Sequence, residues 1–160
     1  MDATPRYLVV DGHSVLFSVP DYARLHLAEP RKARHLLQNH LARLHDTSHW
    51  RVTLVYDGRR GTDDFPILAA TKNPMVVIYS RQGQTADSII ERLTLQVDDP
   101  SRVSVVTADR AEQITVEAAG AEVHSPSWLV SELQRNDQIW QSFLSSALNE
   151  KTKQRHRLFD

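Results

Sequence analysis

"SRVSVVTADRAEQITVEAAGAEVHS", residues 101–125, reads as one complete unit of a layered fold. An apolar run ends at Asp109. A helical stretch follows over 110–119 and stops at Gly120, and a short apolar run resumes at 121. Glycine commonly follows the last turn of a helix because it accepts the left-handed backbone without a Cβ clash. Parallel strands need a crossover, usually a helix, so strand, helix and strand in this order predict parallel pairing.

The same alternation extends outward in both directions. "RYLVVD" (6–11), "RVTLVYDG" (51–58) and "MVVIYS" (75–80) read as buried strands. Pro30 suits the first turn of a helix over 30–45, with Leu36, Leu37, Leu41 and Leu44 on one face. Residues 59–74 hold Gly61, Pro66 and Pro74 and read as a loop. Thr85 caps the next helix, whose apolar stripe is Ala86, Ile89, Ile90, Leu93 and Val97. Ser125 and Pro126 start a further helix to about Leu133, and the tail from Asn136 is helical before a basic end. The expected fold is α/β, with a central, mostly parallel sheet of about five strands and helices on both faces.

Composition narrows the setting. The 160 residues are 41% hydrophobic and 24% charged, as in an ordinary globular domain. There is no cysteine, so thiolate chemistry is excluded and any metal must use His or oxygen ligands. No stretch approaches the roughly 20 apolar residues of a membrane span, and the N-terminus lacks a leader pattern. A cytoplasmic setting fits. The net charge of −1 conceals an acidic middle, with ten of the 20 acidic residues in 61–130. That does not suggest a generic nucleic-acid coat, which would be basic.

The strand ends carry the chemistry. Asp11, Asp57 and Asp109 each close a strand, and Asp87 lies in the first turn of the helix after another. Ligands of such sheets bind beyond the carboxyl ends of the strands. Singly, each Asp serves as well for a turn or a helix cap. Together at one edge they repel, and a hard divalent cation such as Mg²⁺ or Mn²⁺ relieves that. Glu91 stands one turn below Asp87 on a shared helix face, where a solvated position is the plainer reading.

"YLVVDGHSVLF", "VTLVYDG", "IYSRQGQTADSIIERL" and "VSVVTADRAEQ" together resemble the NYN domains, a branch of the PIN-like nuclease superfamily, and most of all their YacP-like bacterial group. The resemblance spans about 6–135. It implies a three-layer PIN-like sandwich, with 1–135 as the nuclease domain and 136–160 as a C-terminal helix and basic tail. It also implies metal-dependent endoribonuclease activity, with RNA, including mRNA at the ribosome, as partner. On the family's acidic positions fall Asp11, Asp87 and Asp109 as metal ligands. Asp57 matches an acid after the second strand, and Glu91 fits the helix pattern. One departure stands out. The family has Asp-Gly-x-Asn where this chain has Asp11-Gly12-His13-Ser14. Ser14 can still donate a hydrogen bond but lacks the amide's paired donor and acceptor.

The expected mechanism places Mg²⁺ or Mn²⁺ on Asp11, Asp87 and Asp109, with Thr107 and Ser14 orienting the acids. His13 could approach substrate, and Arg59, Arg60 and Arg81 could contact phosphates. Tyr22, Trp50 and Trp128 suit packing better than base stacking. His45 and His49 have i, i+4 spacing but no third ligand. Lys151, Lys153, Arg155 and Arg157 make a basic tail. The competing reading is a module that binds RNA or a ribosome without cutting it.

Overall fold

The computed structural model describes residues 5–58 and 74–159. Strand β1 (Arg6–Asp11) leads into helices α1 (Gly12–Ser18), α2 (Pro20–Ala28) and α3 (Pro30–Thr47). Then come β2 (Trp50–Tyr56), β3 (Val76–Tyr79), α4 (Ala86–Gln96), β4 (Val103–Val106), α5 (Arg110–Ala118), β5 (Glu122–His124) and α6 (Pro126–Phe159). Nearly all of the expected loop over 59–74, with Arg59 and Arg60, lies outside the described residues.

All four strand pairings are parallel, in the order β3-β2-β1-β4-β5. The unit over 101–125 is thus a β4-α5-β5 crossover, as expected. Gly120 has φ +99°, in the left-handed region. The chain leaves β1 toward β2 on one side and returns to pair β4 on the other. β1 is therefore where strand order reverses, and its carboxyl end borders the crevice where ligands bind in such sheets.

Strand side chains alternate between two cores. Leu8, Val10, Leu54, Tyr56 and Val106 face Val15, Leu16, Leu37, Leu41, Leu44 and Leu129, from α1, α3 and α6. Val9, Val55, Val103 and Val105 face Ala86, Ile89, Ile90 and Val116, from α4 and α5. The result is a three-layer α/β sandwich.

Two elements were not expected. α1 starts directly at Asp11, whose side chain accepts from the Ser14 amide, and α2 starts with Pro20. Each is short, seven and nine residues, so neither shows a long apolar period. α6 is also one continuous helix of 34 residues rather than two pieces. No breaker separates Leu133 from Asn136. Asn136 is buried and donates to Thr47 Oγ1 at 2.7 Å, and Asp137 pairs with Arg43 at 3.6 Å, which ties α6 to α3. Among the described residues no helix is long and apolar enough to cross a membrane.

Candidate active site

Asp11 is the last residue of β1, 6% exposed, and the N-cap of α1. Ser14 Oγ donates to its Oδ2 at 2.9 Å. Ser14, standing where the resembling family has Asn, therefore orients the carboxylate with a hydroxyl. Thr107 follows β4, which pairs with β1, so Thr107 and Asp11 sit side by side at the sheet edge. Thr107 is fully buried, and its Oγ1 lies 3.2 Å from Asp11 Oδ2, 3.2 Å from Ser14 Oγ and 3.0 Å from Glu112 Oε2. The Asp109 amide donates to the same oxygen at 3.1 Å.

Asp87 arrives from the other helical layer. Thr85 and Ser88 form a reciprocal capping box at the start of α4, and Asp87 lies in that first turn. Asp57 holds this helix start in place: its Oδ1 accepts from the Ala86 amide at 2.7 Å.

Asp11, Asp87 and Glu112 each offer an oxygen, and the three oxygens lie within 4.8 Å of one another. The third member is Glu112 and not Asp109. Asp109 is exposed, and its Oδ1 accepts from the amides of Ala111 (2.9 Å) and Glu112 (3.2 Å), capping α5. That cap turns the Asp109 side chain onto its own helix and delivers Glu112, three residues on, to the cluster. A signal for Glu112 was present in the sequence. It stands four residues before Val116, so the two share one face of α5, and Val116 is buried.

Glu112 is 6% exposed, and its Oε1 is buried with no hydrogen-bond partner. Its pKa is raised to about 9, first by burial and then by the neighbouring Asp87 and Asp11 carboxylates; the Thr107 hydroxyl opposes this. A carboxylate in such a place is either protonated or faces a cation. The partnerless oxygen and the all-oxygen donor set fit a hard divalent ion. The α4 and α5 N-termini add partial positive charge that favours the ionised form of Asp87 and Glu112 in their first turns.

The remaining expected residues surround this cluster. Glu91 is exposed and lines, with Asp87, Ala111 and Glu112, a cleft of about 130 Å³ between α4 and α5; it is not among the three clustered carboxylates. Asp57 is exposed and outside the three as well. His13 Nδ1 accepts from the Asp57 amide at 3.4 Å. Burial lowers the His13 pKa, against the opposing charges of Asp57 and Asp11. Arg81 is exposed, and its carbonyl accepts from the Gln84 amide at 2.9 Å, closing the turn before α4. Tyr22 and Trp50 are 5% and 4% exposed, and Trp128 stacks on His124, so all three pack within the protein. His45 is buried and accepts from the Val52 amide at 3.0 Å, while His49 stacks on Trp50, so this pair converges on no metal cluster.

The chain belongs to the YacP-like NYN domain family, whose model matches residues 8–160. Its fold is shared with Rae1 (YacP) from Bacillus subtilis: 24% identity, a TM-score of 0.73, and coverage of 99% of this chain and 88% of that one. A mutant of the same protein gives 22% identity and a TM-score of 0.73, covering 89% of this chain and 82% of that one. No curated protein matches the chain. The acidic triad Asp11, Asp87 and Glu112 could hold a divalent metal.

Proposed function

We propose that this YacP-like NYN domain is a divalent-metal-dependent endoribonuclease that hydrolyses RNA phosphodiester bonds at Asp11, Asp87 and Glu112. One observation carries the reading. A buried glutamate with a partnerless oxygen stands against two further carboxylates at the point where strand order reverses. Burying such a group is costly unless a cation compensates it, so a site selected for stability alone would be apolar.

Mg²⁺ or Mn²⁺ is the proposed cofactor, held by those three residues. Bound there, the ion would activate water and offset the charge of a phosphodiester. The chain's own residues do the positioning. Ser14 and Thr107 fix Asp11, Thr107 also fixes Glu112, and Asp57 holds the start of α4 so that Asp87 reaches the cluster. Asp109 acts as the cap that aims Glu112. Glu91 borders the cleft, and Arg59, Arg60 and Arg81 are proposed phosphate contacts. The family resemblance supports RNA as substrate, with mRNA at the ribosome in the cytoplasm as the setting.

The alternative is an RNA- or ribosome-binding module, favoured by Ser14 in place of the family's Asn. The two separate in one assay. Purified protein with Mn²⁺ is incubated with single-stranded RNA, structured RNA and translating ribosomes, beside Asp11→Asn, Asp87→Asn and Glu112→Gln. Cleavage lost in all three variants supports the enzyme. RNA that is bound but stays intact with the wild type supports the module.

A further inference from the structure

We propose that Phe17 and His13 form a stacking platform for an unpaired base of single-stranded RNA, beside the acid cluster; the proposal rests on the ribonuclease reading of that cluster. Phe17 is 62% exposed, and two neighbouring rings steady it. It stacks on His13 at 5.7 Å and 25°, and meets His26 edge-on at 5.0 Å and 82°. His13 in turn contacts Tyr56 edge-on at 5.4 Å, and Tyr56 stacks on Tyr79 at 5.5 Å. Tyr79 closes the row at edge strand β3, where it is 37% exposed. The row therefore follows the carboxyl edge of the sheet from α1 to β3.

Position selects the occupant. His13 is two residues beyond Asp11, and its ring is pinned to the Asp57 amide. At about 1.5 Å of helix rise per residue, Phe17 stands about 9 Å along the chain from Asp11. That suits the nucleotide flanking a phosphate at the cluster. An exposed ring immobilised by its neighbours offers a flat π surface at little entropic cost, and every base has a face to match it. Bases within a duplex are already stacked, so the platform selects single strands without strong sequence preference.

The test is a fluorescence titration of single-stranded RNA carrying 2-aminopurine, in EDTA so that no cleavage intervenes. Wild type is expected to quench the probe. Phe17→Ala and Phe17→Leu should each bind about tenfold more weakly, while Phe17→Trp retains affinity. In filter binding, a matched RNA with an abasic site at the probe position should bind wild type and Phe17→Ala equally. Equal affinity of wild type and Phe17→Ala for the intact RNA overturns the platform, as does a loss of the same size on the abasic RNA. A dimer that dissociates on Phe17→Ala with RNA affinity unchanged also overturns it, assigning the face to a contact between copies. Phe17-dependent quenching without any Mn²⁺-dependent cleavage would refute the nuclease and leave the platform standing.

Discussion

Glu112 and Asp11, 101 positions apart in the sequence, flank a single hydroxyl, that of Thr107, at 3.0 and 3.2 Å. A hydroxyl has one hydrogen, so it cannot donate to both carboxylates at once. Ser14 Oγ also donates to Asp11 Oδ2, at 2.9 Å, so the Thr107 hydrogen is free for Glu112 Oε2; the unsatisfied atom is Glu112 Oε1, which calls for a proton or a cation.

Removing that hydroxyl tests the arrangement. Thr107→Val keeps the shape and loses the donor. Mn²⁺ affinity, measured by calorimetry, should fall about 10–100-fold, as for other groups that orient metal-bound carboxylates. Unchanged affinity would mean that the Thr107 hydroxyl serves only the Asp109 amide.

The raised pKa of Glu112, about 9, makes the metal-free fold sensitive to pH. The folded state prefers the protonated acid. Its contribution is full below the unfolded pKa of 4.5 and is lost as pH rises through about 9. Melting in EDTA should therefore show a falling Tm across that window. Glu112→Gln should flatten the fall, and Mn²⁺ should raise the wild-type Tm most at the alkaline end. A wild-type Tm that does not fall with pH would refute the account.

Asp109 separates capping from metal ligation. Asn caps a helix nearly as well as Asp, so Asp109→Asn should retain cleavage within a few-fold, and Asp109→Ala should cost about 1 kcal/mol of stability. Asp11→Asn and Asp87→Asn should lower cleavage by at least about 100-fold. If Asp109→Asn falls as far as those two, Asp109 is a ligand after all.

Gly12 is packed tightly behind the site. A Cβ there would lie 2.2 Å from Cε1 of the fully buried Tyr56 ring. Gly12→Ala should destabilise the protein by about 1–3 kcal/mol in urea unfolding, and shift Asp11 next to it. A smaller loss would show that the ring can yield.

Much of the architecture was legible because periodicity is local. The runs ending at Asp11, Asp57 and Asp109 marked three strand ends, and Gly120 marked a crossover. α1 and α2 were not legible, since a helix of two turns stabilised by packing leaves little pattern. The continuity of α6 was hidden for a related reason: Asn136 is tied to Thr47 of α3, a tertiary contact that leaves no local pattern.

The candidate site divides along the same line. Sequence alone determined that carboxylates gather at the carboxyl edge of a parallel sheet, because strand direction and helix starts follow from local patterns. Only the tertiary structure decided which of them meet. Asp109 ends the apolar run read as a strand, whereas β4 itself stops at Val106; Glu112 sits inside a helix, so sequence favoured the first. The cap geometry of α5 keeps the Asp109 side chain on its own backbone amides and turns Glu112 inward, against Thr107, Asp87 and Asp11. Side-chain direction at a helix start depends on packing between layers; the i, i+4 relation of Glu112 to Val116 places it on the inner face but does not say what it meets there.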